Sequence, residues 1–416
     1  MRILFIGKFP PIQGGVAAGA HCLVEQLLQA GLAIRLVSDC LCVESDYRIA
    51  LTADDIDILC FRGTPWEARF DFDPVPPFGQ HRKKIPSGLP TESLLYGRAA
   101  RACRVQSFDF VLSNYLFPYG VVAAQVAKDF SIRHVVLHAG SDIFDLLHDD
   151  DLASTAREAL STAWAVLTVP NAIPNLVAIG LQPAQLRTDI STFTSGGSFY
   201  SGLQRETFVE YLSAVAELQG KNEGDPSVPI SESGEHFTIG ICGKAGNSKG
   251  TIELLDALAY LATVDSSVQC VAAWAGLEKS GLTDAVRNLA EVNLRTIAPL
   301  PRWRIPEFIN FCDACLFLEH DFWLNEHTPQ FPAEVLASGT PAIFSADVSA
   351  RILPSGLRVL SPVTVVKSPM TWRHVAEAIL EAKGRRPRGR DFNTKSELVY
   401  PQVSAVNLSD FLRSNE

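Results

Sequence analysis

Short apolar runs recur along the chain, with amphipathic stretches between most of them. Residues 2–7 read as a buried strand, followed by a Pro/Gly loop and a helix reaching about residue 30. Residues 33–38, 108–113, 134–138 and 165–169 are further strand-like runs, with helical patterns over 120–130 and 151–162. Around residue 200 the character changes. A helical piece leads into residues 219–229, which are polar and rich in turn formers, as in a linker. The pattern then restarts: strands over 236–242, 268–275, 294–297, 314–318 and 341–344, and a helix over 250–262. Strands alternating with helices predict parallel, doubly wound sheets, here in two α/β halves. Residues 43–100 fit this rhythm least and read as an insertion or loop.

Composition narrows the classes. At 416 residues, two or three domains are expected. A formal charge of −10 argues against a nucleic-acid binder, which needs a basic face to neutralise phosphates. Of the nine scattered cysteines only Cys40/Cys42 and Cys312/Cys315 lie close together, and no second CxxC or nearby His pair completes a zinc site, so no metal site is expected and a reducing compartment is. No apolar window of about 18 residues is present, so no membrane span is expected and the protein reads as cytoplasmic. The basic run over 383–390 reads as a solvated surface turn, with peripheral contact to a membrane or acidic partner as the alternative.

Four segments carry candidate chemistry. After the first strand, Gly14-Gly15 opens a helix, where backbone without Cβ lets a phosphate or sugar approach; a plain strand–helix turn explains it equally. The spacing is no dinucleotide fingerprint, although Asp39 after the second strand stands where that motif puts its ribose acid. His138 ends a strand and precedes Ser141 and Asp142. A lone histidine is usually structural, but ligand-facing side chains emerge at the carboxyl ends of parallel strands. The loop from Gly243 to Gly250 carries Lys244 and Lys249 before a helix, which suits a diphosphate unless the lysines are merely surface groups. Glu326 and Glu334, seven residues apart, flank Thr328, Pro329, Gln330 and Phe331. Glu326 falls in a Pro-interrupted loop, and Glu334 in the opening turn of a short helix that Gly339 should stop. The spacing alone is close to coincidence.

Together these segments resemble the retaining glycosyltransferases of the GT-B fold, the large GT4-type family. The resemblance lies in Phe9-Pro10-Pro11 with Gly14-Gly15; in His138, Gly140, Ser141 and Asp142; in Gly243-Lys244 with Lys249-Gly250; and in the E-x7-E pair followed by Ala337, Gly339 and Pro341. It covers about residues 1–195 and 236–395. This chain departs in having Lys244 for the usual Arg, Glu326-His327-Thr328-Pro329 for Glu-Gly-Phe-Gly, and Thr-Ser-Gly-Gly over 194–197 for Asn-Gly. The second departure centres donor choice beside Glu326.

The resemblance implies α/β architecture: two Rossmann-like doubly wound domains facing across a cleft. An acceptor-side domain over 1–199, a linker region over 200–235, a nucleotide-sugar domain over 236–395 and a segment over 396–416 packing back on the first domain are expected. Lys244 and Lys249 would stabilise the leaving diphosphate, Glu334 the ribose diol and Glu326 the donor-sugar hydroxyls, with the 328–331 backbone assisting. His138 would contact the sugar, Gly14 and Gly15 would let donor and acceptor meet, and Gly243, Ser141 and Asp142 would line the site. No cofactor or obligate metal is expected; the partners are a nucleotide-sugar donor and a hydroxyl-bearing acceptor. Two rivals remain: a GT-B-fold UDP-N-acetylhexosamine epimerase, and a non-catalytic nucleotide-sugar binding protein.

Overall fold

The computed structural model describes residues 1–43, 47–75, 91–138, 140–191, 205–218, 236–277, 280–290, 293–321, 330–353, 361–385 and 406–414. In the first half, β1 (Arg2–Ile6), α1 (Gly15–Gln29), β2 (Ala33–Ser38), α2 (Ala53–Leu59), β3 (Phe70–Pro74), α3 (Thr91–Val105) and β4 (Phe110–Asn114) follow in order. Then come α4 (Val121–Phe130), β5 (Arg133–Leu137), α5 (Ser141–Leu147), α6 (Asp150–Leu160), β6 (Ala165–Leu167), α7 (Ile173–Ile179) and β7 (Leu186–Arg187). A short β8 (Ile190–Ser191) and α8 (Arg205–Leu218) lead to β9 (Phe237–Lys244), α9 (Thr251–Val264), β10 (Val268–Ala275), α10 (Thr283–Ala290) and β11 (Leu294–Ile297). The second half continues through α11 (Ile305–Phe311), β12 (Ala314–Phe317), α12 (Gln330–Ser338), β13 (Ala342–Phe344), α13 (Ala346–Ile352), β14 (Val363–Val365) and α14 (Trp372–Gly384). It closes with β15 (Val406–Asn407) and α15 (Leu408–Arg413).

Two parallel sheets result. The first runs β3-β2-β1-β4-β5-β6-β7, the second β11-β10-β9-β12-β13-β14. Helices cover both faces, which is why the central strands are continuous apolar runs. In β1, Ile3 and Phe5 enter one cluster with α1, while Leu4 and Ile6 enter another with α3 and α4. In β10, Cys270, Ala272 and Trp274 pack to one side, Val271 and Ala273 to the other. In each sheet the strand order reverses beside the first strand, between β1 and β4 and between β9 and β12. Loops leaving adjacent strands there diverge to opposite faces and leave a crevice.

The sequence reading of residues 43–100 as an insertion or loop is corrected for the described residues, which contain α2, β3 and the start of α3. The strand β3 is short and rich in Asp and Pro, and its alternation is two phenylalanines against two aspartates. Phe70 and Phe72 pack toward the core. Asp71 and Asp73 instead pair with Arg35 of the neighbouring strand at 2.9 and 3.0 Å, and Asp73 also accepts from Arg98 of α3 at 2.8 Å. Such charges suit a sheet edge. In α3 the buried face is mostly small: Leu95, Ala99, Ala100 and Ala102.

Two connections cross the chain. Phe208 of α8 packs on Phe311 at 5.4 Å, in the core of the second half. Strand β15 pairs in parallel with β8, and α15 lays Leu408, Phe411 and Leu412 into the core of the first sheet. Phe411 stacks on Trp164 at 4.9 Å and lies under the Arg187 guanidinium. In the basic run, Lys383 pairs with Asp265 and Arg385 with Glu381; residues 386–390 lie outside the described residues. No described helix is long and apolar enough to cross a membrane.

Candidate functional site

The loops at the two strand-order reversals carry most of the polar groups singled out in the sequence. In the first half, Lys8 leaves β1 and is held from behind: its N–H donates to Asn114 Oδ1 at 2.7 Å, and Asn114 Nδ2 donates back to its carbonyl at 3.1 Å. Asn114 ends β4, across the reversal. Phe9 is fully buried against Phe72 and His21, which anchors the loop, and the Gln13 N–H donates to the Tyr47 carbonyl at 2.9 Å. Gly14 then adopts φ 126° at the cap of α1, a conformation L residues avoid, and a Cβ there would meet nothing within 4 Å. The backbone before Gly15 is thus open to a ligand.

Around Lys8 stand Tyr115, whose ring centre is 5.6 Å from the ammonium, and Asp39, which accepts from the Tyr119 hydroxyl at 2.7 Å. Burial holds Lys8 down to about 8; Lys244 of the other half pushes the same way and Asp39 opposes it. His138 shares a 2.7 Å hydrogen bond through Nε2 with Thr168, and burial lowers its pKa to about 4, so it is neutral at pH 7. Ser141 reaches the Tyr115 hydroxyl at 3.4 Å. Asp142 is buried, and its carboxylate accepts the Leu116 N–H at 2.7 Å, bracing the turn after β4.

In the second half, Gly243 has φ 146° and Lys244 ends β9, its ammonium 5.8 Å from the Tyr47 ring centre. A single 3-10 turn, Asn247–Lys249, carries the loop to Gly250. Gly250 has φ 68°, and a Cβ there would lie 2.5 Å from that of Leu318 and 2.7 Å from its carbonyl oxygen, so glycine brings the start of α9 against the loop after β12. Lys249 forms an ion pair with Glu319 of that loop. Glu319 is fixed in turn, since Ser345 donates to its carbonyl at 2.5 Å.

Glu334 is the fifth residue of α12, a turn later than its sequence context suggests, and Gly339 at φ 79° ends the helix as expected. Desolvation lifts its carboxyl to about 7, with Arg302 pulling it down. Arg302 also acts on His21 of the first half. Phe331 is a core residue, near Phe308 and Phe317, so only its backbone could serve a ligand. Glu326, Thr328 and Pro329 lie outside the described residues, as does the side chain of Gln330.

The two halves touch beside this site. Asp55, fully buried in α2, accepts from Trp303 Nε1 at 2.8 Å and from Arg304 Nε at 3.1 Å. Sequence reasoning missed Lys8, Tyr47, Arg302 and Glu319. Position at a strand end was a usable signal for Lys8 and Glu319; Tyr47 and Arg302 gave none.

Two parallel sheets with facing reversals define the GT-B architecture that the family resemblance implied; the sequence pattern had predicted the two α/β halves. Solved structures with this fold include Anabaena HepE in complex with UDP-glucose, at TM-score 0.57 and 14% identity over 100% of this chain and 95% of that one. Sucrose-phosphate synthase from Thermosynechococcus elongatus aligns at 0.55 and 12% over 95% and 93%. The UDP-GlcNAc 2-epimerase from Neisseria meningitidis, bound to UDP-GlcNAc, aligns at 0.53 and 11% over 100% and 99%. At such identities the likeness carries the fold. No protein-family model matches the sequence, and no curated protein matches it significantly.

Proposed function

We propose that this chain is a nucleotide-sugar enzyme, and within that class a retaining GT4-type glycosyltransferase moving a hexose-type sugar to a hydroxyl-bearing acceptor. The observation that carries this is Lys244 and Lys249 at one strand-order reversal, with Lys8 and the open Gly14-Gly15 backbone at the other. The demand of such a reaction is to stabilise a leaving diphosphate while positive charge develops on the sugar. Lys249, oriented by Glu319, and the N-terminus of the 14-residue helix α9 supply fixed positive charge there. Glu334 suits a ribose diol, since a carboxylate accepts two vicinal O–H donors. Glu326 takes the donor-sugar hydroxyls, and neutral His138 can donate or accept a hydrogen bond but carries no charge. The leaving phosphate takes the acceptor proton, so no protein nucleophile is required. Lysines and a helix terminus do the work of charge neutralisation, and turnover is expected to survive a chelator. Uridine is the first base to try, because similar folds have been solved with UDP or UDP-sugars.

Lys249→Ala or Glu326→Ala should cut transfer by about a hundredfold or more with the fold intact by circular dichroism. Near-normal turnover in either variant sinks the assignment. An epimerase is the second reading, favoured by the fold likeness to UDP-GlcNAc 2-epimerases. Incubation with UDP-GlcNAc and no acceptor separates the two: an epimerised nucleotide sugar marks an epimerase, whereas free sugar plus UDP marks hydrolysis by a transferase.

A further inference from the structure

Lys8 is not one of the residues that the E-x7-E resemblance assigns. It nonetheless lies two residues beyond the carboxyl end of β1, at the strand-order reversal of the first sheet, as Lys244 lies at the end of β9 beside the reversal of the second. Its main chain is fixed by both amide atoms of Asn114. Its ammonium lies near the Tyr115 ring, and among the described residues no carboxylate forms an ion pair with it. Asp39, the acid nearby, already accepts the Tyr119 hydroxyl.

Tyr47 links Lys244 to the loop that begins at Lys8. Its carbonyl accepts the Gln13 N–H of the loop that begins at Lys8, and its ring lies near the Lys244 ammonium. Its hydroxyl also sits so close to Gly276, at the end of β10, that a Cβ there would be 2.7 Å away. The Lys8 loop and the Lys244 strand end are therefore strapped together by one residue, through its carbonyl on one side and its ring on the other. The two ammonium groups approach from opposite sheets, Lys8 half-buried and Lys244 exposed, and their like charges repel. The repulsion is relieved when an anion sits between them.

We propose that Lys8 and Lys244 are the two jaws of one diphosphate site, so that the first sheet as well as the second grips the anion. The nucleotide-sugar reading enters only in naming what carries the diphosphate. Burial and the Lys244 charge together depress the Lys8 ammonium, as expected of a cation awaiting its counter-ion. With the anion bound, cation meets anion on both sides and the two halves are drawn together. The same diphosphate could arrive free or on a nucleotide.

Calorimetry on the full chain tests this with inorganic pyrophosphate, UDP and uridine as separate probes. Lys8→Met should weaken pyrophosphate and UDP by about tenfold or more, leave uridine unchanged, and be largely rescued by Lys8→Arg. Lys8→Met combined with Lys244→Met should cost less than the product of the single effects, because both remove the same clamp. Unchanged pyrophosphate affinity in Lys8→Met, with an unchanged thermal midpoint, overturns the proposal. So does equal weakening of uridine, which marks a general distortion. If Lys8 governs pyrophosphate binding but the wild-type chain takes no nucleotide, the anion site stands and the nucleotide-sugar reading fails.

Discussion

Glu334 is stripped of water in the second half, and its carboxyl rises to about 7 against the pull of Arg302. A group so raised stabilises the fold most below its unfolded value near 4.5, and this contribution is lost as pH climbs through about 7. For a ligand that donates hydroxyls to the carboxylate the sign is opposite. Below about pH 7 binding must first drive off a proton, so UDP affinity should fall by roughly tenfold per unit of acidification. Calorimetry across that range, in buffers of different ionisation heat, reads both the slope and the released proton. Glu334→Gln should bind more weakly and lose the slope; an unchanged slope would show that another group titrates. The sequence offered Glu334 through its partner spacing, yet its burial and the approach of Arg302 depend on packing between distant segments. Lys249 shows the same division: its place before a helix was legible, but its partner Glu319, 70 positions on, was not.

Among the described elements, the junction between α2 and the turn at Arg302–Arg304 buries charge most deeply, at Asp55. Asp55 serves two purposes. It completes a capping box with Thr52 at the start of α2, and it accepts from Trp303 and Arg304 across the junction. Arg304 also pairs with Glu307 at 2.9 Å and lies 4.6 Å from the Tyr211 ring centre. Asp55→Ala leaves a guanidinium facing a site without its acceptor, and should cost roughly 3 kcal/mol or more. Thr52→Ala removes the cap alone and should cost about 1 kcal/mol. Urea unfolding of the two variants decides whether Asp55 joins the halves; equal losses would reduce it to a helix cap. The capping pattern around Thr52 is local, whereas the partnership is 248 residues away in the chain and left no sequence signal. Strand β3 was illegible for another reason. Its stability comes from pairing Asp71 and Asp73 with Arg35 and Arg98, not from the apolar run that marks a central strand.

At the scale of the whole molecule, three histidines among the described residues are folded away uncharged. Burial lowers His21 to about 3, with Arg302 adding to the effect, His134 to about 3, and His138 to about 4, from 6.5. Unfolding lets each take up a proton. The histidines' contribution to stability is therefore fully present above about pH 6.5 and is lost as pH falls toward 4, by about 1.4 kcal/mol per pH unit for each histidine. Denaturant midpoints at steps through that window should show the slope. His134, which bonds only Ser113 in the core of the first sheet, offers the test. His134→Gln should flatten the curve by one proton's worth, and a slope unchanged by that substitution would assign the acid loss elsewhere.

The alternation of apolar strand and amphipathic helix determined two parallel sheets by itself, because strands buried on both faces must be apolar throughout and helices need only one such face. Strand-end loops with glycines and lysines were equally local, and the pattern located them. Tertiary structure alone decided which charges meet. Pairings such as Lys249 with Glu319, Asp55 with Trp303, and the convergence of Lys8 on Lys244 through Tyr47 join segments far apart in the chain. Their strength depends on loss of water, and sequence periodicity does not record where water is lost.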